Sequence, residues 1–190
     1  MKHNSARESQ VKGESRGHGN RPEHANTKRV NSKHLENETQ EHFLTKNQES
    51  WIKIEKELLL QRDITSVQQL PVIVETARKG VKAEVFYLFA NAIGFSDKEL
   101  ASLINLTSRT LINYKEKGKA LDAPQGEHLL KLISLYKKGE DILGSLTALS
   151  RWLSKPGWKS KQPYIEWLVT PGGVDLVSLE LDRLAEGYSL

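Results

Sequence analysis

Helical periodicity that stops repeatedly at glycine is the feature that most constrains the fold of this chain. The segment KAEVFYLFANAIG places Val85, Leu88, Phe89 and Ala92 on one stripe and ends at Gly94, and QGEHLLKLISLYKKG repeats the apolar spacing. Apolar residues three and four apart line one face of a helix, and glycine favours the left-handed conformation that ends one. No segment here alternates with period two for long enough to predict a strand, so the chain is predicted to be all-α. The stripe of the second segment consists of Leu129, Leu132, Ile133 and Tyr136.

Residues 1–47 are predicted to be a disordered polar tail. Apolar side chains occur there singly, so the segment cannot bury enough area to offset the entropy of ordering. Five of the six histidines lie in this tail at irregular spacing, which argues against a metal site. They are His3, His18, His24, His34 and His42.

Residues 48–66 are predicted to form an isolated helix and a linker. Ser50 is its predicted N-cap, and Trp51, Ile54 and Leu58 have helical spacing. The next predicted helix has Pro71 in its first turn and Gly80 as its stop. Its predicted inward face consists of Val67, Leu70, Val74 and Ala77.

The composition excludes several classes of protein. The absence of cysteine removes disulfides, thiolate zinc sites and cysteine nucleophiles, and it suits a reducing cytoplasm. No apolar run approaches the roughly 20 residues of a membrane span, and the first 20 residues lack the apolar core of a secretory signal. Outside the tail the one histidine is His128, which we interpret as structural or solvent-facing. We therefore expect neither an enzyme nor a cofactor, metal or membrane partner.

The pattern from Ser96 to Lys119 predicts a helix, a short turn and a second helix. SDKELASLI carries Ser96 and Glu99 at the spacing of a capping box, and the three-residue turn NLT follows. SRTLINYKEKG is the second helix, with Leu111 and Ile112 predicted to face inward and Gly118 as its stop. This arrangement is typical of a DNA-binding helix-turn-helix.

Hydroxyl and basic side chains make the second helix a candidate recognition helix. Arg109 can bind guanine or a phosphate, and Asn113 can bind adenine. From Thr107 to Lys119 there are four basic residues and one acid, a local net charge of +3, whereas the whole chain has +4 and a pI of about 9.2. The alternative is a solvated helix of a generic bundle. The candidate DNA-binding residues are Thr107, Ser108, Arg109, Thr110, Asn113, Tyr114, Lys115, Lys117 and Lys119.

Residues 140–190 are predicted to form a small three-helix unit. The first helix lies in DILGSLTALSRWL, and a second short helix is opened by Pro163. PGG is interpreted as a turn, and VDLVSLELDRLAEG as a last helix closed by Gly187. About 50 residues make a thin core, so the unit is expected to pack on the preceding helices, on its own copy or on a partner.

Two sets of residues carry a resemblance to a known family over residues 67–190. The first is Glu99, Leu100, Ala101, Ser108, Arg109, Thr110, Leu111, Leu121 and Leu129. The second is Ala148, Trp152, Leu153, Pro163, Leu168, Thr170, Gly173, Leu181, Leu184 and Gly187. In this order the two sets resemble the Xre-type helix-turn-helix and the toxin-binding domain of the Xre/MbcA/ParS antitoxins. The stretch WKSKQP departs from the family, which usually has a glycine pair before the proline.

The resemblance implies an antitoxin of a type II toxin–antitoxin pair in the bacterial cytoplasm. Such a protein is a homodimer that binds operator DNA and covers the active site of a RES-domain toxin, which consumes NAD or ADP-ribosylates a target. It implies a helix-turn-helix domain over residues 67–139 and a toxin-binding and dimerisation domain over 140–190. The expected toxin-binding residues are Trp152, Glu180, Arg183, Glu186, Gly187 and Tyr188. A stand-alone repressor with a C-terminal dimerisation domain and a helical adaptor without a DNA role are the alternatives.

Overall fold

The computed structural model describes residues 48–57, 70–157 and 161–187, and these are 78% helical. The predicted all-α class is confirmed. The helices are α1 (48–57), α2 (Leu70–Lys79), α3 (Ala83–Ile93), α4 (Asp97–Leu103), α5 (Ser108–Glu116), α6 (Ala123–Leu143), α7 (Leu146–Leu153) and α8 (Pro171–Ala185), with a 3-10 helix at Tyr164–Val169.

Two short strands were not predicted. β1 (Val81–Lys82) pairs antiparallel with β2 (Ala120–Leu121), and Val81 lies opposite Leu121. Strands of two residues are too short to show a period of two, so the sequence pattern could not reveal them. Their pairing connects the segment directly after α2 to the segment directly before α6. Gly80 has φ 99° and ends α2 at this point, as predicted.

The long helix α6 lies at the centre of the described fold, because α2, α3, α7 and α8 all pack against it. The four residues of its predicted stripe are buried, and Leu130 and Leu135 on other faces are buried as well. A helix that is apolar on more than one face has to be covered on more than one side. The helices α2 and α3 before α6 and the helices α7 and α8 after it are therefore held against one shared helix.

The helix α6 extends beyond Gly139, the last residue of the predicted helix-turn-helix domain. It continues to Leu143, and Gly144, with φ 82°, ends it. Gly139 allows close packing, since a Cβ there would overlap the side chain of Leu149 on α7. The predicted domain boundary at 139/140 consequently falls inside α6, and all described residues belong to one compact unit. The division into two domains stays a prediction.

The helix α1 was predicted to be isolated, but it packs on the bundle through its predicted apolar residues. Trp51 and Ile54 are buried, and the Trp51 ring centroid lies 5.9 Å from that of Phe89 on α3. The prediction that Ser50 is the N-cap is wrong, because Ser50 lies within the helix. The predicted contact residue Leu58 lies outside the described residues.

The inward face of α2 differs from the predicted one. Ile73 and Ala77 are buried, whereas Leu70 is exposed and Val74 is half-buried. Val67 lies outside the described residues. The face of α2 that packs on α6 is therefore the one that carries Ile73 and Ala77.

The C-terminal elements are held by caps and by aromatic packing. The Ser145 hydroxyl accepts a hydrogen bond from the backbone N–H of Ala148 at the start of α7. The Trp152 ring stacks on Tyr164, with centroids 4.4 Å apart and an angle of 11°. Pro163 directly precedes the 3-10 helix, so the predicted short helix after Pro163 is confirmed, in 3-10 form.

The segment PGG is the first turn of α8, so its interpretation as a separate turn is wrong. Thr170 is the N-cap, and its hydroxyl accepts from the N–H of Gly173 at 3.1 Å. Pro171 suits the first helical turn because its missing N–H has no partner there in any case. A Cβ at Gly173 would overlap the carbonyl oxygen of Trp167, whereas nothing lies within 4 Å of a Cβ at Gly172.

Polar contacts attach α8 and the 3-10 helix to α6. Lys131 donates to Asp175 at 2.7 Å, and Lys138 donates to Asp182 at 2.9 Å and to Ser178 at 2.8 Å. The His128 Nε2 lies 2.8 Å from the carbonyl oxygen of Leu168. A carbonyl can only accept, so this nitrogen carries the proton. His128 is buried, which confirms its interpretation as structural.

Replacing Gly173 with alanine should destabilise the protein, because the added methyl group meets backbone that cannot move aside. We expect a loss of about 2 to 3 kcal/mol in the free energy of unfolding and a melting temperature about 5 to 10 °C lower. Gly172→Ala is the matched control and should leave the melting temperature unchanged. Equal behaviour of the two variants in thermal unfolding would contradict the described packing.

Acid should destabilise the fold through His128. Burial, followed by the nearby Lys131 charge, lowers the pKa of His128 below its ordinary 6.5 in spite of the hydrogen bond to Leu168. The unfolded chain therefore binds this proton more readily, and the free energy of unfolding falls as the pH drops below about 6.5. The His128→Gln variant keeps an N–H donor but cannot titrate, so it should lose less stability between pH 7.5 and 5.5. Equal pH dependence of the two proteins in chemical unfolding would contradict this assignment.

Candidate DNA-binding surface

The capping box at the start of α4 is confirmed. The Ser96 hydroxyl accepts from the N–H of Glu99 at 3.3 Å, and the Glu99 carboxylate accepts from the N–H of Ser96 at 2.8 Å and from its hydroxyl at 2.6 Å. These hydrogen bonds lower the pKa of Glu99. Together they fix the residue at which α4 begins.

The turn between α4 and α5 contains a non-glycine residue in the left-handed conformation, Asn105, with φ 57°. The N–H of Leu106 donates to the carbonyl of Ala101 at 2.9 Å, and the N–H of Asn105 donates to Ser102 at 3.3 Å. This pair of bonds closes a Schellman motif, and asparagine tolerates its left-handed position better than most residues. The Asn105 side chain also donates to the carbonyl of Val169 at 3.4 Å, which links the turn to the 3-10 helix.

The helix α5 begins with two threonines that bind each other. Thr107 is the N-cap, and its Oγ1 accepts from the N–H of Thr110 at 3.1 Å. The two threonine hydroxyl oxygens lie 2.8 Å apart. Ser108 and Arg109 are both exposed in the first turn. The first turn therefore presents Ser108 and Arg109, while the threonines hold it in place.

The outer face of α5 carries several of the polar residues that the sequence predicts to bind DNA. Ser108, Arg109 and Asn113 are exposed on it, and so is the acidic residue Glu116. The prediction that Ile112 faces inward is wrong, because 50% of its surface is exposed. Leu111 takes the buried position, and each further residue turns about 100° around the helix.

Lysines surround the C-terminal end of α5. The Lys115 Nζ lies 4.4 Å from the centroid of the Tyr87 ring, a cation–π contact that holds it near α3. Lys117 and Lys119 are exposed on either side of Gly118, which has φ 58° and ends the helix as predicted.

Tyr114 has a structural contact on the other side of α5. Its hydroxyl donates to Asp122 at 3.0 Å, and this hydrogen bond raises the pKa of Tyr114. The side chain is half-buried, so it joins α5 to the segment that leads into α6. Of the selected residues, Tyr114 is thus the one most engaged in the fold.

The match to a known domain covers this part of the chain. Residues 72–134 match the family model of the antitoxin Xre-like helix-turn-helix domain. The matched segment begins in α2, ends in α6 and contains both the capping box and the whole of α5. The Xre-like domain belongs to DNA-binding regulators and supports an Xre-type antitoxin. Searches of curated proteins and of solved structures found no match.

The expected toxin-binding residues lie beyond the Xre-like domain and differ in exposure. Trp152 is half-buried against Tyr164, and Glu180 is buried and accepts from Arg183 at 3.2 Å. Arg183 and Glu186 are exposed at the end of α8. Gly187, with φ 82°, follows the helix and is its predicted stop, while Tyr188 lies outside the described residues.

The acidic character of α8 is partly neutralised within the fold. Asp175 and Asp182 are paired with the α6 lysines, and Glu180 is paired with Arg183. The sequence shows five acids against one arginine from residue 166 to residue 186. The surface of this region is therefore less acidic than the count suggests.

An exposed apolar stripe on α8 was missed by the sequence analysis. Leu176 and Leu179 are 46% and 48% exposed, and Val169 of the 3-10 helix is 44% exposed. Leu179 also borders a groove of about 190 Å³ between α2, α6 and α8. The sequence does indicate this stripe, because VDLVSLELDRL has more apolar residues than one inward helix face can hold.

Within residues 48–57, 70–157 and 161–187, no three metal-ligating side chains come together. None of the helices described over these ranges combines the length and the apolar character needed to cross a bilayer.

Proposed function

We propose that this chain is an antitoxin that acts in the bacterial cytoplasm, binds operator DNA through α5 and neutralises a RES-type toxin through its C-terminal elements. The observation that carries the proposal is the exposed outer face of α5 inside a segment that matches an antitoxin domain. The buried face of this helix forms part of the core, so its outer face is held in a fixed orientation.

The first turn of α5 is the proposed base reader. Arg109 offers two parallel donors to guanine, and Asn113, one turn further on, offers a donor and an acceptor to adenine. Lys117 and Lys119 extend from the other end of the helix, where they suit backbone phosphates. A homodimer would place two such helices on the two halves of an operator.

The outer face of α8 is the proposed toxin contact. The stripe of Leu176 and Leu179 is apolar and exposed, and Arg183 and Glu186 flank its C-terminal end. Apolar centres with charged rims are typical of protein–protein interfaces. The resemblance of residues 140–190 to the toxin-binding domain of the antitoxins supports a RES-type toxin, one that consumes NAD or ADP-ribosylates a target, as the partner.

A stand-alone repressor is the second candidate function. The same apolar stripe on α8 favours it, because two copies could bury Leu176 and Leu179 against each other. The two candidates share the DNA-binding role of α5 and differ in the partner of α8.

Loss of the Arg109 side chain should weaken operator binding by about 1 to 3 kcal/mol, roughly five- to 150-fold, and should relax the preference at one base position. Lys119→Ala should weaken binding to all sequences alike and reduce the salt dependence by about one unit. Arg151→Ala is the matched control, an exposed arginine on α7 that should leave binding unchanged. Fluorescence anisotropy over a series of salt concentrations measures all three. If Arg109→Ala behaves like Arg151→Ala, the assignment of α5 is wrong.

Co-expression with the neighbouring gene separates the antitoxin from the repressor. A toxic neighbour should be neutralised by the wild-type chain and by Arg109→Ala, but not by Leu176→Glu, because a buried unpaired carboxylate disrupts an apolar contact. Val72→Glu on α2 is the matched control, since Val72 is 43% exposed, and it should still protect. Leu176→Glu should keep its affinity for operator DNA. A harmless neighbour, or protection by Leu176→Glu, would contradict the toxin contact.

A further inference from the structure

Ile112 is an apolar side chain in the middle of the proposed base-reading face. It is 50% exposed and lies three residues after Arg109 and directly before Asn113. Ser108 and Glu116 lie one turn before and one turn after it and are exposed as well. Residues three and four apart are neighbours on a helix surface, so Ile112 shares one ridge with the residues proposed to contact bases.

The side chain of Ile112 does not support the core. Leu111, which is 1% exposed, fills the inward position of this turn and packs in the hydrophobic cluster. Isoleucine is also a weaker helix former than alanine, lysine or glutamate, because its branched Cβ restricts the side chain to essentially one rotamer in a helix. The same stiffness means that little further freedom is lost when the side chain contacts a ligand.

The edges of the bases in the major groove are mostly hydrogen-bond donors and acceptors. The apolar group among them is the methyl group on C5 of thymine, and 5-methylcytosine presents the same group at the same position. If Arg109 and Asn113 reach base edges, Ile112 between them must also face the groove. A branched hydrocarbon there can bury a methyl group but cannot satisfy a donor or an acceptor.

We propose that Ile112 is a specificity-determining residue that reads the 5-methyl group of a pyrimidine in the operator. The inference rests on the proposed DNA-binding function and deepens it. The half-site then contains a methylated pyrimidine next to the base pairs that Arg109 and Asn113 contact. Contact between the two hydrocarbon surfaces should contribute about three- to tenfold in affinity.

The test removes the methyl group from the DNA and the hydrocarbon from the protein separately. Operator duplexes are first selected from random sequences with the full wild-type chain, and each thymine is then replaced with uracil, one position at a time. The wild-type protein should bind about three- to tenfold more weakly at one uracil position in each half-site. Ile112→Val should keep this discrimination in part, and Ile112→Ala should bind the thymine and uracil duplexes equally. Val72→Ala is the matched control and should discriminate as the wild type does.

A second pair of duplexes tests whether the protein recognises the methyl group itself or another feature of thymine. At the same position, cytosine and 5-methylcytosine are compared, and 5-methylcytosine should bind more tightly to the wild type and equally to Ile112→Ala. Equal binding of thymine and uracil duplexes by the wild type at every position, or discrimination that persists in a folded Ile112→Ala, would overturn the proposal. Failure to select any preferred sequence would overturn the proposed DNA-reading function as well, so the two failures are distinguishable.

Discussion

Burial of α6 on several sides is the constraint on which the rest of the described structure depends. The helices α2, α3, α7 and α8 all pack against it, so neither the helices that precede α6 nor those that follow it could cover it alone. Lys131 and Lys138 add ion pairs to α8, and the lysines are themselves largely buried. Removing one partner of such a pair is costly because it leaves a charge without compensation. The proposed DNA-binding and toxin-binding surfaces thus lie on one continuous framework.

Local hydrogen bonds determine the geometry of α5, the proposed recognition helix. The Ser96–Glu99 box fixes the start of α4, the left-handed Asn105 closes its end, and Thr107 caps α5. Leu111 then anchors α5 in the core. Each of these contacts uses backbone groups or an inward side chain. The side chains on the outer face of α5 consequently take no part in these contacts.

The elements that local signals determine were predicted well. The capping box, the start of α5, the stop at Gly118 and the stripe of α6 all follow from short-range patterns, and the structure contains them. The end of α6 at Gly144 was not predicted, because glycine both ends helices and permits close packing, as at Gly139, and a single sequence does not separate the two uses. The prediction for Ile112 is wrong because an apolar side chain on a helix need not be buried, and Ile112 is 50% exposed.

The most direct test of the central claim is amide hydrogen exchange of the full chain with and without its operator. Operator DNA should slow exchange over residues 107–119, where α5 and its flanking residues lie. Exchange of the backbone amides of α8 should slow only when a protein partner is added. Operator DNA that leaves residues 107–119 unchanged while slowing exchange in another part of the bundle would contradict the assignment of α5 as the DNA-reading helix.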